Sequence, residues 1–212
     1  MKILPVFPTP FGVSNIDIDT TKLLKIIESF EYHRFETQTA SYTTNKRILQ
    51  KEELKDLRQK FEEKYNNFIY DQLGFSREIE FRITTSWVVK LEPGDYTHAH
   101  YHAHSMFSCV FYLDVDNDSG AITFYRKIKI NELGGDDPLF IIPVSNSFNY
   151  NEYNSPSWRF NPIKNDFIIF PSNINHEVAV NKSNKTRYSL AFNLFPSGSI
   201  GIQEFGIELE IK

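Results

Sequence analysis

The chain has 212 residues and a formal net charge of −4, and 41% of its residues are hydrophobic and 15% aromatic. This length and composition allow one domain with a substantial core and argue against a disordered chain. Lys and Arg residues are mixed with acidic residues along the sequence, so no basic face favours nucleic acid as a partner. The one cysteine, Cys109, excludes an internal disulfide, and we expect it to be buried as a small hydrophobic residue.

No apolar run approaches the roughly 18 residues that a membrane span needs. Three prolines interrupt the first ten residues, which makes a secretory signal segment unfavourable there. We therefore expect a cytoplasmic protein that does not enter a membrane.

Two segments have the periodicity of amphipathic helices. The first covers residues 19–32, where Asp19 or Thr20 can cap the helix. The second covers residues 51–73, and Gly74 follows where a helix would end. The polar residues 36–46 between them predict a loop, and His33 is expected at the surface near the end of the first helix.

After residue 76 the hydrophobic pattern changes to the period of β-strands. Strands are predicted at 78–92, 107–114, 121–130, 139–144, 166–170, 177–180, 187–195 and 202–211. Two helices followed by about eight strands predict an α+β domain built on a sandwich or barrel. We expect one domain over residues 1–212, with a helical extension at 1–76 and a β core at 77–212. The polar segment 134–164 is predicted to be a lid or substrate-facing loop.

Histidines dominate one short segment of the chain. Four of the six histidines occupy alternate positions, namely His98, His100, His102 and His104, and His176 follows the strand-like residues 166–171. A strand projects alternate side chains to one face, so this spacing can aim several imidazoles at one point. Neutral imidazole binds zinc, copper, nickel or iron, and the run therefore predicts a metal site. The alternative is an exposed polar strand that binds metals adventitiously.

The strand at 187–195 has one polar and one apolar face. The polar face carries Arg187, Ser189, Ala191 and Asn193, and the apolar face carries Tyr188, Leu190, Phe192 and Leu194. A guanidinium and a hydroxyl two residues apart can together receive a carboxylate. The polar face lines a cavity if the fold is a barrel, with the helices packed on the other face; in an ordinary sheet it faces solvent.

The chain shares further motifs with a known family. They are Leu4 to Pro10, Ser86-Trp87, Gly94-Asp95-Tyr96, Ser108 to Leu113, Ser119-Gly120, Ile169 to Ser172 and Arg187 to Asn193. With these motifs the chain resembles the 2-oxoglutarate and Fe(II)-dependent oxygenases, within them a group common in marine bacteria and bacteriophages. The resemblance implies a double-stranded β-helix, that is, a jelly-roll or cupin-like barrel, with the N-terminal helices packed on the major sheet.

The resemblance also implies a site. His100 and His102 match the family's His-x-His pair, and His176 matches the distal metal ligand. Arg187 and Ser189 match the Arg-x-Ser that holds the far carboxylate of 2-oxoglutarate. Tyr112 is a candidate contact to this cosubstrate, although a core tyrosine is equally compatible with the sequence.

The largest departure from the wider superfamily concerns a metal ligand. An Asp or Glu usually follows the first histidine by two residues, and here His102 occupies that place. The third metal ligand is therefore either His102 or water. His98 and His104 are expected to lie outside the ligand set, and Trp87 and Trp158 are expected to be packing residues.

The resemblance implies an Fe(II)- and 2-oxoglutarate-dependent dioxygenase, which couples oxidative decarboxylation of 2-oxoglutarate by dioxygen to hydroxylation of an unknown substrate. That substrate is a small molecule or a protein, and no catalytic residue is expected beyond the metal ligands. The location would be the host cytoplasm if a bacteriophage encodes the chain. Two alternatives stay open: a cupin-like three-histidine metalloenzyme that does not use 2-oxoglutarate, and a non-catalytic jelly-roll binding module. The sequence does not indicate the oligomeric state.

Overall fold

Two antiparallel sheets form the scaffold. A computed structural model describes residues 1–36, 39–126, 151–200 and 206–211 of the chain. The major sheet contains β1 (Gly12–Asn15), β2 (Tyr32–Arg34), β3 (Ser41–Thr43), β4 (Glu80–Leu91), β6 (Phe107–Asp114), β9 (Asp166–Pro171), β11 (Arg187–Ile200) and β12 (Ile207–Leu209). The minor sheet contains β5 (Thr97–His100), β7 (Ile122–Tyr125), β8 (Ser157–Phe160) and β10 (His176–Val178).

The order of the strands differs from their order in the sequence. In the major sheet the order is β1-β9-β6-β11-β4-β3-β2, with β12 paired to β11, and in the minor sheet it is β5-β10-β7-β8. Strand β11 lies centrally, because it pairs with β4 on one side and with β6 on the other. Such crossing connections between two antiparallel sheets are typical of a jelly roll.

The two helices lie before the long strands. The first, α1 (Thr20–Glu28), begins at Asp19, whose carboxylate accepts a hydrogen bond from the Thr21 backbone N–H at 2.9 Å. The second, α2 (Lys55–Asn66), follows two short 3₁₀ turns and continues as a π-helix over Asn67–Gln72. Gly74 then adopts a φ of 74°, the left-handed conformation that commonly ends helices. No helix among the described residues is long and apolar enough to cross a membrane.

The helices pack on the outer face of the major sheet. Phe61 of α2 is fully buried, and its ring lies 5.0–5.7 Å from the rings of Phe111, Phe167 and Phe192. The buried cluster around it contains the apolar face of β11, and Cys109 lies in the same cluster, as expected. The hydrophobic effect on this face therefore attaches the helices to the sheet.

A second apolar cluster fills the space between the sheets. Its buried members come from both sheets: Tyr112, Ile122, Phe124, Ile168 and Phe170. Phe11, which precedes β1, inserts here with its ring 4.9 Å from that of Phe124 and 6.3 Å from that of Phe170. The polar face of β11 is directed to this interior, opposite to the helices.

Several sequence predictions need correction. The predicted loop at 36–46 contains β3, and the predicted lid at 134–164 contains β8. His33 lies on β2 rather than at a helix end, where its ring packs on Phe35. Residues 134–150 of the predicted lid, and the predicted strand at 139–144, lie outside the described residues.

Candidate metal centre

Three imidazoles converge at one end of the minor sheet. His100 ends β5 and pairs across the backbone with His176, the first residue of β10. The ring centres are 4.4 Å apart for His100 and His176, and 5.3 Å apart for His102 and each of the other two. One nitrogen from each ring lies within 4.8 Å of the nitrogens of the others. This spacing suits one tetrahedral or octahedral metal ion with Nε2 or Nδ1 ligands.

Hydrogen bonds to the backbone determine which nitrogen is available. Nδ1 of His100 lies 2.7 Å from the carbonyl oxygen of His98, and Nδ1 of His176 lies 2.9 Å from that of Ile174. A carbonyl oxygen only accepts hydrogen bonds, so Nδ1 carries the proton in both neutral rings. The lone pair is therefore on Nε2, and both rings are prepared for metal binding.

Burial keeps two of the imidazoles neutral. Burial, together with the neighbouring His100, lowers the pKa of His176 to about 3 and that of His102 to about 4. Only the unprotonated ring can donate its lone pair to a metal. At neutral pH both residues are thus in the form that binds a metal without first losing a proton.

His102 reaches the cluster from a turn rather than from the strand. Strand β5 ends at His100, and the His102 backbone N–H donates to the Ser172 carbonyl at 2.9 Å. Ser172 also bonds through its hydroxyl to Ser105 and Ser108, at 2.9 and 2.8 Å. These bonds hold the turn that carries His102 against the end of β9.

The other two histidines of the run lie outside the cluster. His98 is exposed and packs on Tyr96 with ring centres 4.9 Å apart, and His104 is exposed. In the described part of the chain no Asp, Glu or Cys joins the three histidines. The cluster therefore offers three neutral ligands.

Arg187 and Tyr112 lie together inside the barrel. Arg187 begins β11 and is 2% exposed, and its guanidinium lies 5.1 Å from the centre of the Tyr112 ring. Its Nη1 donates to the Ser119 carbonyl at 3.3 Å and to the Gly120 carbonyl. Ser189 is also buried and pairs across the backbone with Tyr112. The structure thus brings the three predicted anion-binding residues to one place.

Two polar atoms of this group lack a partner. Nε of Arg187 and the hydroxyl of Tyr112 make no well-formed hydrogen bond to any described residue, although both are buried and the two side chains lie beside each other. Burial raises the pKa of Tyr112 to about 12, so its hydroxyl stays protonated and can donate. Buried donors are normally paired, so these two point to a ligand with acceptor oxygens.

The backbone relates this group to the histidines. Gly120, which accepts from Arg187, precedes β7, and Phe124 of β7 pairs with His176. Four residues of extended chain span about 13 Å. Arg187 contacts one end of this span, and His176 pairs with the other.

A cavity of about 380 Å³ opens beside the histidines. It is lined by Tyr42, Lys46, Thr85, Trp87, His100 and His102. Trp87 is partly exposed there, with its ring 5.7 Å from that of His102, and Trp158 is 54% exposed on β8. Trp158 is therefore not the packing residue that the sequence predicted, whereas Trp87 is partly buried and also lines the cavity. Tyr42 and Lys46 were also missed, because they lie in a polar segment without any recognisable motif.

The fold and the three histidines define a class of protein: a double-stranded β-helix with a candidate metal site. Similar solved structures share this fold. The nogalamycin-biosynthesis epimerase SnoN, described as non-haem and α-ketoglutarate dependent, has a TM-score of 0.64 and 14% identity over 88% of this chain and 78% of its own. HygX from Streptomyces hygroscopicus, solved with nickel, 2-oxoglutarate and hygromycin B, has a TM-score of 0.59 and 9% identity over 89% and 83%.

A third similar structure is a Pseudomonas putida prolyl-4-hydroxylase, with a TM-score of 0.54 and 14% identity over 88% of this chain and 92% of its own. No curated protein sequence matches the chain significantly. The chain belongs to the family described as "Putative 2OG-Fe(II) oxygenase", whose sequence profile matches residues 85–193. This confirms the predicted family, the predicted fold and the cofactors Fe(II), 2-oxoglutarate and dioxygen.

Proposed function

We propose that Nε2 of His100 and His176, together with a ring nitrogen of His102, hold the Fe(II) of this oxygenase. Arg187, Ser189 and Tyr112 then bind the far carboxylate of 2-oxoglutarate. The iron supplies the oxidising chemistry, in which dioxygen converts 2-oxoglutarate to succinate and CO₂ and one oxygen atom enters a substrate C–H bond. Ligation by three imidazoles is favoured over two imidazoles and a water, because His102 lies as close to His176 as to His100.

The protein residues contribute charge and position. Three neutral imidazoles leave the full charge of the metal uncompensated, which favours an anionic oxo acid at the open positions. The backbone carbonyls of His98 and Ile174 hold two of the rings in orientation. Phe124 and Phe170 contact the ring of His176, and Tyr112 of the same buried cluster lies beside Arg187, so both ends of the site adjoin an apolar interior that disfavours water.

The buried guanidinium of Arg187 is the observation that carries the proposal. In the part of the chain that the structure describes, no carboxylate forms an ion pair with it. An unpaired buried charge is costly, and a bound dicarboxylate would supply the missing partner. Nε of Arg187 and the Tyr112 hydroxyl, both without partners, would donate to the same carboxylate.

The test is succinate formation from 2-oxoglutarate by the Fe(II)-loaded protein under air. We expect Arg187→Met to raise the KM for 2-oxoglutarate at least 100-fold, because a charge-assisted bidentate contact is lost. Arg82→Met is the matched control, because Arg82 is exposed and its ion pair among the described residues is with Glu80 at the surface. His176→Ala should abolish both iron binding and turnover.

The two alternatives give different results. A cupin-like metalloenzyme would bind iron through the same histidines but show no response to 2-oxoglutarate in either the wild type or Arg187→Met. A binding module would bind no iron and form no succinate. The first result would overturn the proposed cosubstrate site, and the second would overturn the metal site as well.

The substrate and the location belong to the proposal as well. HygX binds the small molecule hygromycin B, and the 380 Å³ cavity beside the histidines also has the size of a small-molecule site. We place the enzyme in the cytoplasm, in that of the host if the chain belongs to the bacteriophage group. A chain with one cysteine suits such a reducing compartment.

A further inference from the structure

The cavity beside the histidines has a cation at its rim. Lys46 lies next to β4, because its carbonyl accepts from the Ser86 backbone N–H at 2.7 Å. The side chain of Ser86 points away from the cavity, because its hydroxyl accepts a hydrogen bond from the backbone N–H of Leu49 on the other side of the strand. Alternation along β4 therefore directs Thr85 and Trp87 to the cavity side, beside Lys46.

The Lys46 ammonium has N–H donors that the described residues do not all use. Nζ donates to the Thr43 carbonyl at 2.8 Å and lies 5.4 Å from the centre of the Tyr42 ring. Among the described residues no carboxylate pairs with Lys46, and no Asp or Glu lines the cavity. An ammonium has three N–H bonds, so N–H bonds beyond the one to Thr43 are available to a ligand beside the Tyr42 and Phe35 rings.

Aromatic rings form much of the remaining lining. Trp87 lies beside the metal end, next to His102, and Tyr42 lies at the lysine end. Aromatic rings of this kind bind flat or apolar groups through their faces. The lining thus combines a metal end, aromatic walls and a positive charge, in a protein whose net charge is −4.

We propose that the substrate oxidised here is a small organic carboxylate with a flat apolar body, whose carboxylate contacts Lys46 and whose body contacts Trp87. This inference rests on the proposed function, since it assigns the cavity to the substrate of that reaction. Lys46 then selects for charge and Trp87 for shape. The carbon to be oxidised lies toward the histidines, at the opposite end from the carboxylate.

A pair of probes separates the two contacts. 4-Fluorophenylacetate and the uncharged 4-fluorophenylacetamide have the same ring, and ¹⁹F NMR titration measures the binding of each. The protein is loaded with Zn(II), which has no redox chemistry, and saturated with 2-oxoglutarate. We expect the acid to bind about tenfold more tightly than the amide, as one charge-assisted hydrogen bond at a partly exposed site would give.

Four variants assign that preference. Lys46→Ala should weaken the binding of the acid to the level of the amide. Lys46→Arg should retain the preference for the acid. Trp87→Ala should weaken the acid and the amide alike. The matched controls, Lys51→Ala and Trp158→Ala, should change neither probe, because Lys51 lies over the Phe30 ring and Trp158 is on β8, both outside the cavity lining.

Several results would overturn the inference. One is equal binding of the acid and the amide, and another is an acid preference that survives Lys46→Ala, which would mean direct binding to the metal. A third is a loss of 2-oxoglutarate affinity in Lys46→Ala, which would assign the lysine to the cosubstrate. The ¹⁹F NMR titration is repeated with metal-free protein, because the contacts of Lys46 and Trp87 need no iron. This keeps the test of the cavity separate from the succinate assay, which tests the proposed function. An acid preference without turnover supports the cavity alone, and turnover without the preference rejects only the substrate class.

Discussion

Two of the three candidate ligands are oriented by the same kind of local hydrogen bond. In both His100 and His176 the ring Nδ1 donates to the carbonyl two residues earlier in the chain. The backbone, rather than a second side chain, therefore selects the tautomer. The sequence pattern could indicate which histidines meet, because His-x-His and a later histidine are recognisable. It could not indicate the tautomer, since any residue at position 98 or 174 supplies the same carbonyl.

Gly120 supports the arginine end of the site. It has a φ of 97°, and a Cβ there would collide with the Ala179 carbonyl and lie 3.4 Å from Nη1 of Arg187. We predict that Gly120→Ala raises the KM for 2-oxoglutarate about tenfold or more, because the turn that positions the guanidinium must shift. Steady-state kinetics of succinate formation measure this effect.

Gly94 offers a matched control for that substitution. It has a similar φ of 91°, but nothing lies within 4 Å of a Cβ built on it. Gly94→Ala should therefore introduce the same kind of backbone strain, about 1 kcal/mol, without moving Arg187. Equal KM values for the two variants would contradict the role given to Gly120.

Among the elements, strand β11 was the most predictable. Its alternation placed Arg187 and Ser189 on one face and Phe192 on the other, and the structure has both faces as expected. Two of the shortest strands, β2 and β3, were missed, because three residues alone are too few for a period of two to be evident. They form because β4 offers an edge with which β3 can pair. That pairing brings Tyr42 to the cavity, and a single sequence does not reveal it.

The histidine run shows a different limit of the sequence. Alternation over residues 97–105 indicated that a strand could aim several imidazoles at one point, yet the strand ends at His100. His102 reaches the cluster because the Ser172 carbonyl accepts its backbone N–H. That contact joins residues 70 positions apart, so tertiary structure determines it.

The ring of Phe61 links α2 to the sheet. Phe61→Ala should lower the free energy of unfolding by about 3–5 kcal/mol, because a fully buried ring stacked among three others is lost. Urea denaturation measures the change. The neighbouring exposed residue provides the control, and Gln59→Ala should change the stability by less than about 0.5 kcal/mol.

Iron binding should survive the loss of Phe61. The ring lies on the helix side of the major sheet, whereas the histidines adjoin the interior cluster on the other side. A folded Phe61→Ala variant with a wild-type affinity for Fe(II) would agree with this separation. A parallel loss of affinity would show that the two faces are coupled.

The whole molecule depends on two apolar layers with different tasks. The outer layer attaches the helices, and the inner layer of phenylalanines surrounds His176. Burial in the inner layer keeps the imidazole neutral, so the same packing that stabilises the barrel also prepares the ligand. In the metal-free protein this coupling has a consequence for stability in acid.

We predict that the metal-free protein loses stability as the pH falls from 6.5 toward 3. The unfolded chain takes up a proton on His176 near its ordinary pKa of 6.5, whereas the folded protein does so only near pH 3. Stability from this group is thus complete above pH 6.5, and it declines by at most about 1.4 kcal/mol per pH unit below. Urea denaturation of chelator-treated protein at several pH values measures the slope.

His176→Gln isolates this contribution, because acidic side chains add their own pH dependence in every variant. The unfolding free energy should depend less steeply on pH between pH 6 and pH 4 in the glutamine variant. The difference from the wild type should correspond to about one fewer proton taken up on unfolding. An unchanged slope would mean that His176 is protonated equally in the folded and unfolded protein.

The opposite faces of β11 limit how the gene can change. Successive residues of β11 point alternately to the interior and to the helices. Removing one codon from the strand would therefore exchange the two sets of side chains. A guanidinium would then meet the helices, and a phenylalanine would enter the place of the cosubstrate. Substitutions along β11 can be gradual, whereas a deletion of one residue would invert the barrel wall in a single step.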